Sequence, residues 1–295
     1  MEKGIVIIAV SYLNYARMAS NLAQSIKINN PDTHITLLHD NKAIENLMPT
    51  EKKFFDNFIE IPNEFIQYNG RNAYGRLKCF IYDLSPYQKT IYIDSDTLMI
   101  PNKSIEWYWE AIDKYDHLWI SWTKDTVYKY NSNTISSWTT IGYIHDLFPN
   151  LLNREIVTNL QTSLIGFKKK QEIKNIFESS KKVHDALHAH MFKSTWYNTI
   201  PDELIIAVGM CENNIIPTPG HQFVTLIFQK PTLQELRNEY NFISFASAQS
   251  SVQFTYKNLY DQYVTENAKK LGIPYPYLWK DKGLFIRQNS VIRKR

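Results

Sequence analysis

Two carboxylates set the chemical question. The stretch Thr90–Ile100 reads TIYIDSDTLMI: a β-branched, apolar run (Ile91, Tyr92, Ile93) closes on Asp94 and Asp96, spaced i and i+2. Side chains alternate across a strand, so extended geometry carried through this stretch would point both carboxylates to the same side. Like charges that close repel, and each resists leaving water, so a cation between them or a shared proton is expected. Three chemistries are open. The aspartates can belong to a post-strand turn, where the side chain hydrogen-bonds local backbone. One can act as a nucleophile with the other as acid/base. Or both can hold a hard divalent cation, which takes one or two carboxylates and completes its shell with substrate phosphate oxygens. In that last case the ion neutralises charge developing on a departing diphosphate.

The elements around the pair read as an α/β architecture. Residues 4–10 (GIVIIAV) are a continuous apolar run, as in a strand buried on both faces. Met18, Ala19, Leu22, Ala23 and Ile26 then recur at helical spacing up to Asn30-Pro31, and a second short strand follows at 34–38. This β-α-β unit opens a parallel sheet. Ala73, Leu77, Phe80, Ile81 and Leu84 mark one face of a helix entered through Asn69-Gly70 and ended by Ser85-Pro86, with Arg76, Cys79 and Asp83 off that stripe. The Asp94 strand comes next, then a Trp-rich helix over 105–115 and a strand over 117–122. A long polar, aromatic loop covers 123–155, a strand 160–167, a helix 170–192, and a short helix 202–210 started by Pro201. There is no internal repeat or linker, and one domain with a C-terminal extension is the economical reading.

With 295 residues, 44% hydrophobic and 21% charged, the chain reads as an ordinary soluble globular protein. No apolar run approaches the roughly 18 residues that span a bilayer, and the N-terminal run is too short and too β-branched for a signal peptide. Two cysteines, Cys79 and Cys211, make no disulfide framework and point to a reducing cytoplasm. The net charge of +4 is uneven: residues 280–295 (KDKGLFIRQNSVIRKR) carry six basic side chains and one acidic, net +5, which leaves −1 for the other 279. The bulk is therefore not a nucleic-acid-binding surface. The tail is a solvated terminus or a contact for something acidic, and Leu284, Phe285 and Ile286 among its cations suit an anionic membrane as well as a phosphate-rich acceptor.

Two families carry an apolar strand ending in D-x-D. The D-x-D-x-T-L pattern resembles the first motif of haloacid-dehalogenase-type phosphohydrolases, whose first Asp is the nucleophile. That motif belongs on the first strand of its fold, here a β-α-β unit and about ninety residues precede it, and no later GDxxxD-like acidic pair is present. Arg76–Met99, RLKCFIYDLSPYQKTIYIDSDTLM, resembles family-8 glycosyltransferases such as glycogenin and the bacterial lipooligosaccharide galactosyltransferases. There a basic residue on a helix precedes, after a short spacer, an apolar strand ending in D-x-D. AVSYLNYARMASNLAQSI also looks like that family, and order and spacing fit over roughly residues 4–221.

This resemblance implies the GT-A nucleotide-sugar-binding fold, a mixed, mostly parallel sheet with helices on both faces, over residues 1–221, with 222–295 as an extension of the same domain. It implies a retaining, UDP-sugar-dependent transferase. Ser11, Tyr12 and Tyr15 would line the base, with a tyrosine on the uracil; packing on the first helix is the alternative for either ring. Arg76 would face the donor diphosphate or hold an acidic residue in place, and Lys78 is a weaker candidate beside it. Asp94 would meet the ribose and the metal, Asp96 the metal. LQTSLIGFKK resembles the family's N-A-G strand under the donor sugar, with Gln161, Thr162 and Ser163 in place of those residues. IPDELI resembles the cluster near the reacting carbon, making Asp202 and Glu203 candidates for sugar hydroxyl contacts or, alternatively, helix-start acids. His221 would be a third metal ligand, although the family's H-x-x-G-x-x-K continuation is absent; a loop histidine is its alternative. A mixed His/carboxylate set favours Mn²⁺ over Mg²⁺. The acceptor is open among glycan, lipid-linked glycan, protein and nucleic acid, with Trp138, Trp196 and Tyr197 as stacking or core aromatics. A nucleotide-sugar-binding module without turnover is the non-enzymatic alternative.

Overall fold

The computed structural model describes residues 1–45, 47–120, 127–129, 135–136, 139–140, 156–158, 160–189, 200–218, 223–225, 232–245, 254–274 and 276–278. Six strands form the main sheet: β1 (Lys3–Ala9), β2 (Ile35–His39), β3 (Asn57–Glu60), β4 (Lys89–Ile93), β6 (His117–Ile120) and β7 (Gln161–Lys168), in the order β3-β2-β1-β4-β7-β6. Parallel ladders join β1 to β2 (Ile5↔Ile35 to Ala9↔His39) and β2 to β3. The edge strand β6 runs antiparallel to β7, with a register shift between Gln161 and Ile165. Among the β1 residues Ile5, Val6, Ile7 and Ala9 are fully buried, as the continuous apolar run requires. The fold is thus the mixed α/β sheet that the residue pattern implied.

The chain divides into two compact units. The first comprises Met1–Lys3, Ile61–Tyr92 and Trp107–His221. Its helices are α2 (Glu106–Tyr115), α3 (Gln171–Ala189) and α4 (Asp202–Glu212), preceded by three short helical pieces, Tyr74–Leu77, Lys78–Phe80 and Ile81–Leu84. The middle piece is 3₁₀, with three residues per turn rather than 3.6, and this shifts the phase of the buried face. Cys79, placed off the apolar stripe by helical spacing, is consequently fully buried. Asn69-Gly70 does not open this helix. Both residues have positive φ (48° and 74°) and turn a small hairpin, Gln67–Tyr68 against Arg71–Asn72, as a two-residue hairpin loop demands. Cys79, Phe80, Val183, Leu187, Leu204, Ile205 and Val208 form a core between these pieces and α3 and α4. The two long helices approach closely at Gly209, where a Cβ would lie 2.2 Å from Ser180 Oγ.

The second unit comprises Gly4–Glu60, Ile93–Glu106 and Gln222–Arg295. It contains α1 (Leu13–Asn29), β5 (Thr97–Met99), β8 (Phe223–Thr225), α5 (Leu233–Glu239), β9 (Phe242–Ser244) and α6 (Phe254–Leu271). β9 pairs parallel with β8 and antiparallel with β5, giving a small second sheet. Met18, Leu98, Leu236, Ile243, Phe245, Tyr260 and Val264 lie in its core. The polar side of α1 is buried as well. Asn21 Nδ2 donates to the Tyr260 hydroxyl (3.0 Å) and the Tyr277 carbonyl (2.7 Å), and Ser25 Oγ accepts from the Met99 N–H (2.9 Å).

Candidate active site

The candidate residues form two clusters, one in each unit. In the second unit the geometry of the D-x-D differs from the extended expectation. The strand stops at Ile93, and Asp94–Thr97 is a turn closed by the Thr97 N–H on the Asp94 carbonyl (3.2 Å). The alternation argument therefore does not fix where the two carboxylates point. The turn is clamped from the far side: the Phe245 N–H donates to the Asp96 carbonyl (2.9 Å), and Thr97 pairs with Ser244 in the small sheet. Backbone bonds thus hold a loop whose two carboxylates are both half-buried. Carboxylate oxygens are the ligand type that a hard divalent cation takes. His221 lies outside the described residues. Among those described, no group of three or more His, Cys, Asp or Glu side chains is placed to hold a metal.

The β1–α1 connection belongs to the same unit. Ser11 has φ +72°, uncommon for a residue with a Cβ, and its N–H is held by Asp40 Oδ2 at 2.8 Å. Tyr12 is 55% exposed and Tyr15 36%, with ring centroids 6.3 Å apart. Neither ring is buried in the core.

In the first unit, Arg76 and Lys78 send two cations to two aspartates. Arg76 pairs in a fork with Asp185 on α3 (Nε to Oδ1 3.1 Å, Nη2 to Oδ2 3.4 Å), and its guanidinium sits 4.7 Å from the Tyr68 ring and 4.8 Å from the Phe80 ring. Of the two roles considered for Arg76, this contact is the holding of an acidic residue. Asp185 also meets His184 Nδ1 at 3.0 Å; burial holds His184 below the usual imidazole value, with Asp185 pulling the other way.

Lys78 Nζ lies 2.6 Å from Asp202 Oδ2, and Thr162 Oγ1 on β7 donates to the same oxygen at 2.6 Å. Burial pushes the Asp202 carboxyl up, but the Lys78 charge and these hydrogen bonds outweigh it and hold Asp202 below the ordinary carboxylate range. Its neighbour moves the other way: burial, and then the Asp202 charge, keep Glu203 well above that range. The first turn of α4 therefore carries two adjacent carboxyls that their surroundings push in opposite directions. Gln161, next to Thr162 on β7, is 3% exposed. Cys79, among Arg76, Asp202, Lys181 and Asp185, is pushed up to about 12 by burial and is inert as a nucleophile.

The resemblance had named Lys78, Asp202 and the β7 strand as candidates, and the structure brings them to one place. Neither the resemblance nor the spacing pointed to Asp185, Asp40 or the pairing of Thr162 with Asp202. Asp40 had a local signal, an aspartate after a strand and before a short helix, where its Oδ1 caps the Ala43 N–H. Asp185 had none, because its partner lies 109 residues away.

No protein-family model matches the sequence, and no curated protein matches it. Solved structures do. WbbM, a bifunctional glycosyltransferase solved in its apo form, aligns over 83% of this chain and 46% of its own, at 15% identity and a TM-score of 0.53. The galactosyltransferase LgtC, in complex with donor and acceptor sugar analogues, aligns over 90% of this chain and 95% of its own, at 12% identity and a TM-score of 0.50. An active-site mutant of LgtC gives the same coverage at 12% identity and 0.51. The chain has the GT-A glycosyltransferase fold. The likeness to family-8 enzymes read from Arg76–Met99 is matched at the level of the fold. This chain spans just under half of the WbbM chain.

Proposed function

We propose that the protein is a metal-dependent glycosyltransferase that moves a sugar from a UDP-sugar to a hydroxyl acceptor with retention at the anomeric carbon. The observation that carries the reading is the Asp94–Asp96 turn directly after β4 in a GT-A sheet, since open α/β sheets bind ligands beyond the carboxyl ends of their strands. Asp94 and Asp96 would hold Mn²⁺ or Mg²⁺, with His221 as a further ligand; the bound ion would neutralise charge on the leaving diphosphate. Ser11, Tyr12 and Tyr15 take the nucleoside, with a tyrosine ring on the base. Arg76 holds Asp185, and Lys78 keeps Asp202 ionised. Asp202 accepts a hydrogen bond from a sugar hydroxyl, Glu203 donates one, and Gln161 belongs to the strand beneath the sugar.

Retention rests on the resemblance to family-8 enzymes; an inverting mechanism would instead draw its general base from Asp202, held below the ordinary carboxylate range, or Glu203, held above it. The phosphohydrolase alternative needs its nucleophile after the first strand, and Asp94 follows the fourth strand of the main sheet in chain order.

No helix among the described residues is long and apolar enough to cross a membrane. We assign the cytoplasmic side of a membrane as the place of action, with residues 280–295 as a peripheral contact for anionic lipid. Deletion of that tail should abolish salt-sensitive sedimentation with phosphatidylserine vesicles; unchanged sedimentation would remove the assignment.

The deciding experiment measures nucleoside diphosphate released from a panel of UDP- and GDP-sugars, with and without Mn²⁺, for wild type and Asp96→Asn. Metal-dependent release from one donor, lost in the variant, is expected. Release from none, together with phosphate release from simple phosphoesters, would replace this reading with the phosphohydrolase. Metal-dependent nucleotide binding without release would leave a binding module.

A further inference from the structure

We infer that Asp40 is a positioning residue for the Tyr12–Tyr15 platform; the inference rests on the nucleotide-sugar reading and adds to it the side chain that sets base affinity. The register explains its reach. Ala9 pairs with His39 in the β1–β2 ladder, so Asp40 leaves the sheet beside the β1–α1 turn. One carboxylate oxygen, Oδ1, caps the short helix Asn41–Ile44 through the Ala43 N–H at 2.8 Å. Capping needs no more than that. The other oxygen, Oδ2, accepts the Ser11 N–H at 2.8 Å.

Ser11 is where the turn needs help. A serine at φ +72° sits in a region that residues with a Cβ avoid, so the turn is populated only if surrounding contacts hold it. A side-chain bond reaching back across 29 positions is a contact of that kind. The next N–H, on Tyr12, returns to the Val10 carbonyl (2.9 Å), and the Tyr15 N–H reaches the Tyr12 carbonyl (3.0 Å). Tyr12, with more than half its surface exposed, takes its direction from this backbone and not from core packing. Loosening Ser11 therefore releases the platform, and the entropy of ordering it falls on the binding step. The effect appears in donor affinity and not in the chemical step.

The test titrates UDP in the presence of Mn²⁺ into the full chain, alongside steady-state donor hydrolysis and amide exchange of the segment 10–16. Asp40→Asn keeps one carbonyl oxygen and turns an amide toward the other N–H. It should weaken UDP binding about tenfold, about 1.4 kcal/mol. The donor KM should rise by a similar factor while kcat moves less than twofold, and exchange at Ser11 and Tyr12 should accelerate. Should Asp40→Asn fail to fold, Asp40→Ser serves in its place, since it keeps a capping oxygen and has none for Ser11. UDP affinity within twofold of wild type in either variant overturns the inference, as does a fall in kcat with KM unchanged. A wild-type chain that binds no UDP fails the nucleotide reading itself and is recognised before any variant is compared.

Discussion

Replacing Lys78 by Met tests the electrostatic centre of the first unit. The Lys78 and Asp202 side chains are 15% and 20% exposed, so water screens their 2.6 Å contact little. Removal of the cation leaves Asp202 with the Thr162 hydroxyl and the start of α4. If Asp202 stays ionised, breaking a buried pair on one side costs about 3–5 kcal/mol. If it takes up a proton instead, the cost at pH 7 is capped near 4 kcal/mol, about 1.36 kcal/mol for each unit between an ordinary carboxyl near 3.9 and the solution. Retained dipole and hydroxyl contacts return up to about 1 kcal/mol. The expected loss is therefore about 3 kcal/mol at neutral pH.

The sign with pH follows from Asp202. Its folded value is depressed, so in wild type its contribution is present above the ordinary carboxylate value and lost as pH falls through the folded one. Without Lys78, burial is opposed only by the remaining hydrogen bonds, the Thr162 hydroxyl among them, and the folded value rises. The deficit of the variant should then shrink as acid protonates the site. Urea unfolding of wild type, Lys78→Met, Asp202→Asn and the double variant at pH 7.5 and 4.5 reads this directly. The double variant, with neither charge left, should be no less stable than Lys78→Met alone. A loss below about 0.5 kcal/mol at pH 7.5 would show a solvent-screened surface pair instead. An equal loss at both pH values would show that packing of the lysine stem, not its charge, is what was removed.

Three further outcomes are expected. Gly209→Ala should cost about 1–3 kcal/mol in thermal unfolding, because its Cβ would meet the Ile176 carbonyl at 2.8 Å, backbone that cannot step aside. Asn21→Leu removes two buried hydrogen bonds that tie α1 to Tyr260 and Tyr277 and should cost about 1–3 kcal/mol in urea unfolding. In donor hydrolysis, Glu203 donates a hydrogen bond only while protonated, so activity should fall as pH rises through its raised value; Glu203→Gln keeps the donor and should flatten that alkaline limb, and an unchanged limb would assign it to another group.

What could be read from the residues, and what could not, divides by distance along the chain. The apolar run GIVIIAV, the spacing of α1 and the strand that ends at Ile93 are local patterns, and each appears within a residue or two of its expected place. Local conformational detail was less legible: Asn69-Gly70 turned a hairpin, and a 3₁₀ step rotated Cys79 inward, because neither leaves a periodic trace. The polar face of α1 is another case. Ser20, Asn21, Gln24 and Ser25 are all buried, and Asn21 meets partners 239 and 256 positions away. The same holds at the candidate site. Asp202, Lys78 and Thr162 carried motif signals, whereas Asp185 acquires a role only once α3 brings it to Arg76. A carboxylate's type can be read from sequence, but its protonation depends on burial and on which cation arrives. Asp202 and Glu203 are adjacent acids in the chain, yet Lys78, reaching Asp202 across 124 positions, holds one below the ordinary carboxylate range while burial and the Asp202 charge hold the other above it.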